Sequence, residues 1–342
     1  MSRAALLAVA LVAVPLAAAT ARKPIIGVLS VPRLPTWGCD TMSRSSSNAT
    51  AARGGKDGAG AASSPSCFTG FYAKWIEQGG ARAVVIPYDA PPDDMDTLVD
   101  SVNGVLFTGG NVKLRFNETT GYMAAAGRIF DRMNARHAAG IWQPLWGTCM
   151  GFQTLNILAA RNDSALSRAA FDSENLALPL ALTAYGKRSR MLGADTPQDV
   201  LTTLTSLNVT ENLHHDGVKP SQYATNANLS SFFKVVSTNV DRKGVAFVST
   251  SEHPTRPVYA VQWHPERNQF EWDSDLPSIN HGGDAVRAMS WLSSFFIAEA
   301  RKNNATFAPN ASHLLEQYSL FAYLDSVSVE GKLSEGHVVY HF

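Results

Sequence analysis

From Ile25 onward the chain alternates short apolar runs with segments of helical spacing. Ile25-Ile26-Gly27-Val28-Leu29, Ala83-Val84-Val85-Ile86-Pro87 and Gly104-Val105-Leu106-Phe107 are continuous apolar runs, the pattern of strands buried on both faces. Residues 71–78 have helical spacing and stop at Gly79-Gly80, and 93–102 is a short amphipathic stretch. A longer helix is predicted over about 122–137, after which Gln143-Pro144-Leu145-Trp146 leads a strand to Cys149 and a helix follows over 151–160. Residues 164–229 show less regular patterning. Three strands are then predicted at 232–239, 245–250 and 257–263, and a helix at 284–301 with Val286, Met289, Leu292, Phe295 and Phe296 on one side. Val338-Val339-Tyr340-His341-Phe342 reads as one more strand, at an edge. Strands alternating with helices define an α/β fold, a doubly wound, mostly parallel sheet flanked by helices. In such folds ligands sit outside the carboxyl ends of the strands.

The remaining segments set the context. Met1-Ser2-Arg3 precedes an Ala/Leu/Val run from Ala4 to Ala19, and Ala19-Thr20-Ala21 fits a small-x-small cleavage site. Residues 1–21 thus read as a signal peptide, too short in its apolar part to span a bilayer. Residues 43–66, rich in Ser, Ala and Gly, read as a low-complexity surface insert. Without an internal repeat, 22–342 is expected to form a single domain. Seven N-x-Ser/Thr sequons, at Asn48, Asn117, Asn162, Asn208, Asn228, Asn304 and Asn310, suit a glycoprotein of the secretory pathway, with Asn304 and Asn310 expected at the surface.

Lys and Arg together number 29, matching 29 Asp and Glu, and no basic run is present. Nucleic acid and anionic membrane surfaces are therefore not expected as partners. Of the three cysteines, Cys39 and Cys67 flank the insert; a disulfide between them would leave Cys149 as the odd thiol, a candidate reactive group in an oxidising compartment. No His/Cys cluster has ligand spacing, so neither a metal nor another cofactor is expected.

Gly147-Thr148-Cys149-Met150-Gly151-Phe152-Gln153 places that thiol between glycines two residues away on either side, where a strand turns into a helix. A nucleophile held on such a bend needs small neighbours, and the turn aims the Met150 N–H and the positive end of the helix at the reacting centre. The segment alone fits a buried structural cysteine equally well. Two further strand ends tip the balance. One carries Thr108-Gly109-Gly110; the other carries His264, followed by Pro265 and by Glu266, a carboxylate two residues on that can orient the imidazole.

Gly-Thr-Cys-Met-Gly-Phe-Gln together with Gln-Trp-His-Pro-Glu resembles the class I glutamine amidotransferase-like superfamily, in which Cys, His and Glu form a triad. Within it the chain most resembles the γ-glutamyl hydrolases (folylpolyglutamate hydrolases). The similarity runs from about Lys23 to Phe307, is carried by Lys23-Pro24-Ile25-Ile26-Gly27, by residues 103–110 and 257–266, by Glu271-Trp272 and by Glu299-Ala300-Arg301-Lys302-Asn303-Asn304, and skips the insert. The resemblance implies Cys149 as nucleophile, His264 as base and acid, Glu266 as its orienter, and an oxyanion hole from the Gly110 and Met150 N–H groups. It implies His214, in a loop of the stretch Asn212-Leu213-His214-His215, as a substrate contact, together with Gln153 and Gly109. It further implies a small-molecule substrate of the folylpoly-γ-glutamate class, cut through a thioester, is compatible with a homodimer, and leaves lysosome, vacuole or extracellular space as destinations. Gln153 stands where the hydrolases often carry Glu and is more like the amidotransferases, and Asn111-Val112-Lys113 also departs from the hydrolase pattern. A glutaminase of the amidotransferase type, or an inactive secreted binding protein on the same fold, are the alternatives.

Overall fold

The apolar runs become the middle of one large sheet. A computed structural model describes residues 21, 23–33, 66–320, 327–330 and 337–342. The predicted signal peptide (apart from Ala21), the insert (apart from Ser66), Asn48 and Cys39 lie outside the described residues. In chain order the strands β1 (Ile25–Leu29), β2 (Val31–Pro32) and β3 (Ser66–Thr69) lead to helix α1 (Gly70–Gln78). Then come β4 (Arg82–Ile86), α2 (Pro92–Ser101), β5 (Gly104–Phe107), α3 (Gly121–Ala138), β6 (Leu145–Thr148) and α4 (Met150–Ala160). Next follow β7 (Ser173–Leu178), β8 (Ala181–Leu182), α5 (Gln198–Ser206), β9 (Thr210–His214), α6 (Pro220–Thr225) and α7 (Ala227–Phe232). The chain closes with β10 (Lys234–Val240), β11 (Ala246–Glu252), β12 (Val258–Val261), α8 (Gly283–Ala300), α9 (Ser312–Gln317), β13 (Val327–Glu330) and β14 (His337–His341).

The large sheet runs β4-β1-β5-β6-β12-β11-β10-β8. Pairings from β4 across to β12 are parallel, and those from β12 to β8 are antiparallel. The chain leaves β1 toward β4 through α1 and returns from β4 past β1 to β5 through α2, so right-handed crossovers place α1 and α2 on opposite faces. Helix α1 packs on α8, while α2, α3 and α4 pack in succession. This is the doubly wound, mostly parallel sheet that the alternating pattern predicts. Burial explains the runs: every residue of β5, β6 and β12 is buried. Parallel strands covered by helices on both faces need no polar side chains.

Several expectations are corrected. Residues 164–229 are not irregular; they hold β7, β8, α5, β9, α6 and α7. All five residues of β9 are buried although Thr210, Glu211, Asn212 and His214 are polar, so no apolar run marks the strand. The strand expected at 232–239 begins at Lys234, because the Asn226 side chain accepts the Leu229 N–H at 2.9 Å and starts α7, which takes Phe232. The strand expected at 257–263 pairs with β6 only from Val258 to Val261, so Gln262 and Trp263 already belong to the turn that delivers His264. His214 closes β9 rather than lying in a loop. Ser66 opens β3 rather than ending the insert. The C-terminal strand is no edge of the large sheet: β14 sits inside a separate four-stranded sheet ordered β13-β14-β3-β2.

Cys67 is disulfide-bonded and Cys149 is free. Among the described residues no helix is long and apolar enough to cross a membrane, and no group of three or more His, Cys, Asp or Glu could hold a metal ion.

Candidate active site

The carboxyl ends of β5, β6 and β12, three neighbouring strands, bring Gly109-Gly110, Cys149 and His264 together. Cys149 stands at the junction of β6 and α4 with φ 52° and ψ −106°, a left-handed conformation that is strained for a residue with a side chain. Two glycines make the bend possible. A Cβ on Gly147 would lie 2.7 Å from the Gly151 main chain, and one on Gly151 would lie 2.2 Å from the Phe107 carbonyl oxygen of β5. Helix α4 therefore approaches the sheet backbone to backbone. The Cys149 N–H donates to the Val261 carbonyl at 2.8 Å, which ties the bend to β12.

The imidazole is set from behind. His264 Nδ1 and Glu266 Oε1 are 2.6 Å apart, with both side chains buried. A carboxylate there makes Nδ1 the protonated nitrogen and turns Nε2 toward the thiol. Cys149 is the neighbour on the other side of the ring, and its hydrogen-bonding and charge interactions with the imidazole favour the protonated form. Burial opposes charging of His264, but Glu266 and the neighbouring Cys149 outweigh it and push the pKa up to about 10, against a smaller opposing effect of Arg267. The site thus favours an imidazolium. Arg267 lies 3.7 Å from Glu266 and pairs with Glu271, so the orienting carboxylate belongs to a buried ionic chain.

The turn after β5 is wedged between these groups. A Cβ on Gly109 would meet Tyr72 Oη at 2.6 Å, His264 Cε1 at 3.1 Å and Cys149 Cβ at 3.6 Å. The Gly109 N–H donates to the Tyr72 hydroxyl at 2.7 Å, so Gly109 offers no free donor; its missing side chain lets Tyr72, His264 and Cys149 close around the turn. The Gly110 and Met150 N–H groups make no hydrogen bond with any described residue. The Met150 side chain reaches back under the same turn, where its sulfur accepts the Val112 N–H at 3.2 Å.

Strand β9 closes the other side. Its free edge presents alternate carbonyls: Glu211 accepts the His264 N–H at 2.9 Å, and Leu213 lies 3.8 Å from the Cys149 sulfur as acceptor for the thiol. His214 next to it is buried between Phe171 and Phe247. Its Nδ1 donates to the Asp216 carbonyl at 3.0 Å, leaving Nε2 a buried acceptor without a partner among the described residues. Burial pushes its pKa down to about 3, so the ring is neutral. His215, by contrast, is exposed and pairs with Glu174 at 3.0 Å. Gln153 points along the same wall, donating to the Asp216 carbonyl at 2.9 Å. Tyr72, Glu211 and the Leu213 carbonyl have no mark in the sequence. A lone Tyr in the apolar face of α1 and a Glu inside a polar strand carry no motif; only tertiary contact gives them a place here.

An α/β sheet that seats a thiol, an imidazole and a carboxylate at adjoining strand ends defines an enzyme architecture suited to covalent acyl transfer. The chain belongs to the Peptidase C26 family, whose model matches residues 52–266. It is 35% identical over 272 residues to "Gamma-glutamyl hydrolase" of Homo sapiens, covering 79% of this chain and 81% of that protein. It is 33% identical to "Gamma-glutamyl hydrolase B" of Dictyostelium discoideum over 69% of this chain and 66% of the relative. To "Gamma-glutamyl hydrolase 1" of Arabidopsis thaliana it is 33% identical, over 68% and 64% respectively.

Proposed function

We propose that this protein hydrolyses γ-glutamyl bonds of folylpoly-γ-glutamates, with Cys149 as nucleophile. The observation that carries the reading is the buried Glu266–His264 pair at 2.6 Å set beside the free thiol of Cys149, in a chain 35% identical to a γ-glutamyl hydrolase. The Cys149 thiolate adds to the side-chain carbonyl carbon of a glutamyl residue. The oxyanion forms against the Gly110 and Met150 N–H groups, each worth roughly 3 kcal/mol of barrier. The His264 imidazolium gives its proton to the departing α-amine as the C–N bond breaks, leaving a γ-glutamyl thioester. Neutral His264 then takes a proton from water, whose oxygen attacks the thioester, and the thiolate leaves. Glu266 keeps the ring oriented throughout. His214 Nε2, a neutral acceptor, receives a hydrogen bond from the substrate, the turn at Gly109 lies against the substrate beside the thiol, and Gln153 holds the floor of the cleft.

The test is a product profile on pteroylpentaglutamate followed by mass spectrometry. Release of glutamate or short γ-glutamyl peptides is expected, and none from a folded Cys149→Ser protein. Ammonia release from glutamine, with no cleavage of the γ-linked chain, would instead establish the glutaminase alternative that Gln153 suggests. Absence of both would leave a binding protein. We also read 22–342 as one secreted or lysosomal/vacuolar glycoprotein domain, compatible with a homodimer. The six sequon asparagines among the described residues, Asn117, Asn162, Asn208, Asn228, Asn304 and Asn310, are all exposed, and a mass shift on N-glycosidase treatment of the secreted protein is expected.

A further inference from the structure

Strand β9 carries a buried acid for which the proposed reaction gives no role. Glu211 has no solvent exposure. Its main-chain carbonyl holds the His264 N–H at 2.9 Å. Its Oε2 accepts the Ser278 hydroxyl at 2.6 Å, and Oε1 has no hydrogen-bond partner among the described residues. The charged or titratable groups that face it are Arg267 and His264, with Glu266 and Glu271 on Arg267 as well. From β7, where Ala177 lies opposite Glu211, the Leu176 main chain interacts with the carboxylate and favours its charged form. Burial raises the Glu211 pKa, while Ser278, Arg267 and His264 act against that rise. A carboxylate buried with one oxygen unsatisfied costs stability unless opposite charge stands close by. Here the opposite charges are an arginine of the ionic chain and the imidazolium itself.

We propose that Glu211 is a positioning residue for His264: its carbonyl fixes the main chain of the histidine, and its carboxylate supplies a buried negative charge that holds the ring as imidazolium. The Ser278 hydroxyl, reaching in from the segment before α8, keeps that carboxylate in place. The inference rests on reading Cys149 and His264 as a reacting pair.

The experiment measures alkylation of Cys149 by iodoacetamide against pH in the full chain, for wild type and Glu211→Gln. The amide preserves shape and an acceptor for Ser278 but removes the charge. Without that charge the imidazolium proton is lost more easily, so the alkaline inflection is expected to move down by about half a pH unit or more. At low pH, where Glu211 of the wild type is itself protonated, the two rates converge. An unmoved alkaline inflection in a folded Glu211→Gln protein overturns the proposal, as does a lowered melting temperature with no change in the profile. If that variant does not fold, Ser278→Ala is read instead: it weakens the carboxylate form and should shift the inflection in the same direction by less, and no shift again refutes the idea. Alkylation needs no substrate. A chain with this pH dependence that cuts no γ-glutamyl bond would refute the proposed function and leave the role of Glu211 standing.

Discussion

At the scale of single residues, the groups proposed to react are the ones that carry a local signature in the sequence. Cys149 sits between two glycines and His264 precedes Pro265-Glu266, and both signatures express backbone demands that side-chain packing elsewhere cannot mimic. Tyr72 and Glu211 were not legible, since their partners, Gly109 and His264, lie 37 and 53 residues away. Two outcomes belong at this scale. Glu266→Gln preserves volume but removes the negative charge on the imidazole, so kcat on a γ-glutamyl peptide should fall by about 10²–10⁴-fold with little change in KM; steady-state kinetics on a folded variant decides it. Gly151→Ala forces a methyl group to within 2.2 Å of the Phe107 carbonyl oxygen. Denaturant unfolding should show a loss of roughly 1–3 kcal/mol or more, because main chain on both sides cannot yield as a side chain would.

At the scale of elements, strands with uniform apolar runs and helices with strong periodicity were readable. The ribbon of β7 and β9 was not, because strand β9 buries polar residues and so imitates a loop. Short α7 is hidden for the opposite reason: the apolar pair Phe232-Phe233 reads as strand until the Asn226 cap is seen. Helices α2 and α3 are joined by an ionic ladder that the sequence spaces at four residues. Asp96 receives Arg128 at 2.7 Å and Arg132 at 2.8 Å, while Asp100 receives Arg132 and, at 2.8 Å, Arg136. These are partly exposed pairs, individually weak, that share carboxylates. Asp100→Ala should cost roughly 0.5–1 kcal/mol at low ionic strength and less in 1 M salt; equal costs at both salt levels would show the ladder to be packing rather than charge.

At the scale of the whole molecule, buried histidines set opposite slopes of stability with pH. His214 and His253 have folded pKa values lowered by burial to about 3 and about 4 against an ordinary 6.5. The unfolded chain takes up their protons first, so stability falls as pH drops from about 6.5 toward those values. His264 runs the other way: its value is raised to about 10, so its contribution is complete below about 6.5 and is lost as pH climbs toward 10. His253 Nδ1 accepts the Thr255 and Arg256 N–H groups at 3.1 and 3.0 Å. An asparagine there can keep such an acceptor without titrating, so His253→Asn should flatten the acid side of a stability–pH curve measured by urea unfolding; an unchanged slope would contradict the assignment. The elbow has a different kind of consequence. Because the height of the sulfur above the sheet is gauged by Gly151 resting on the Phe107 carbonyl, it is measured from one peptide group to another. Apolar side chains around the bend can then be exchanged without moving the sulfur, because no side chain sets its height.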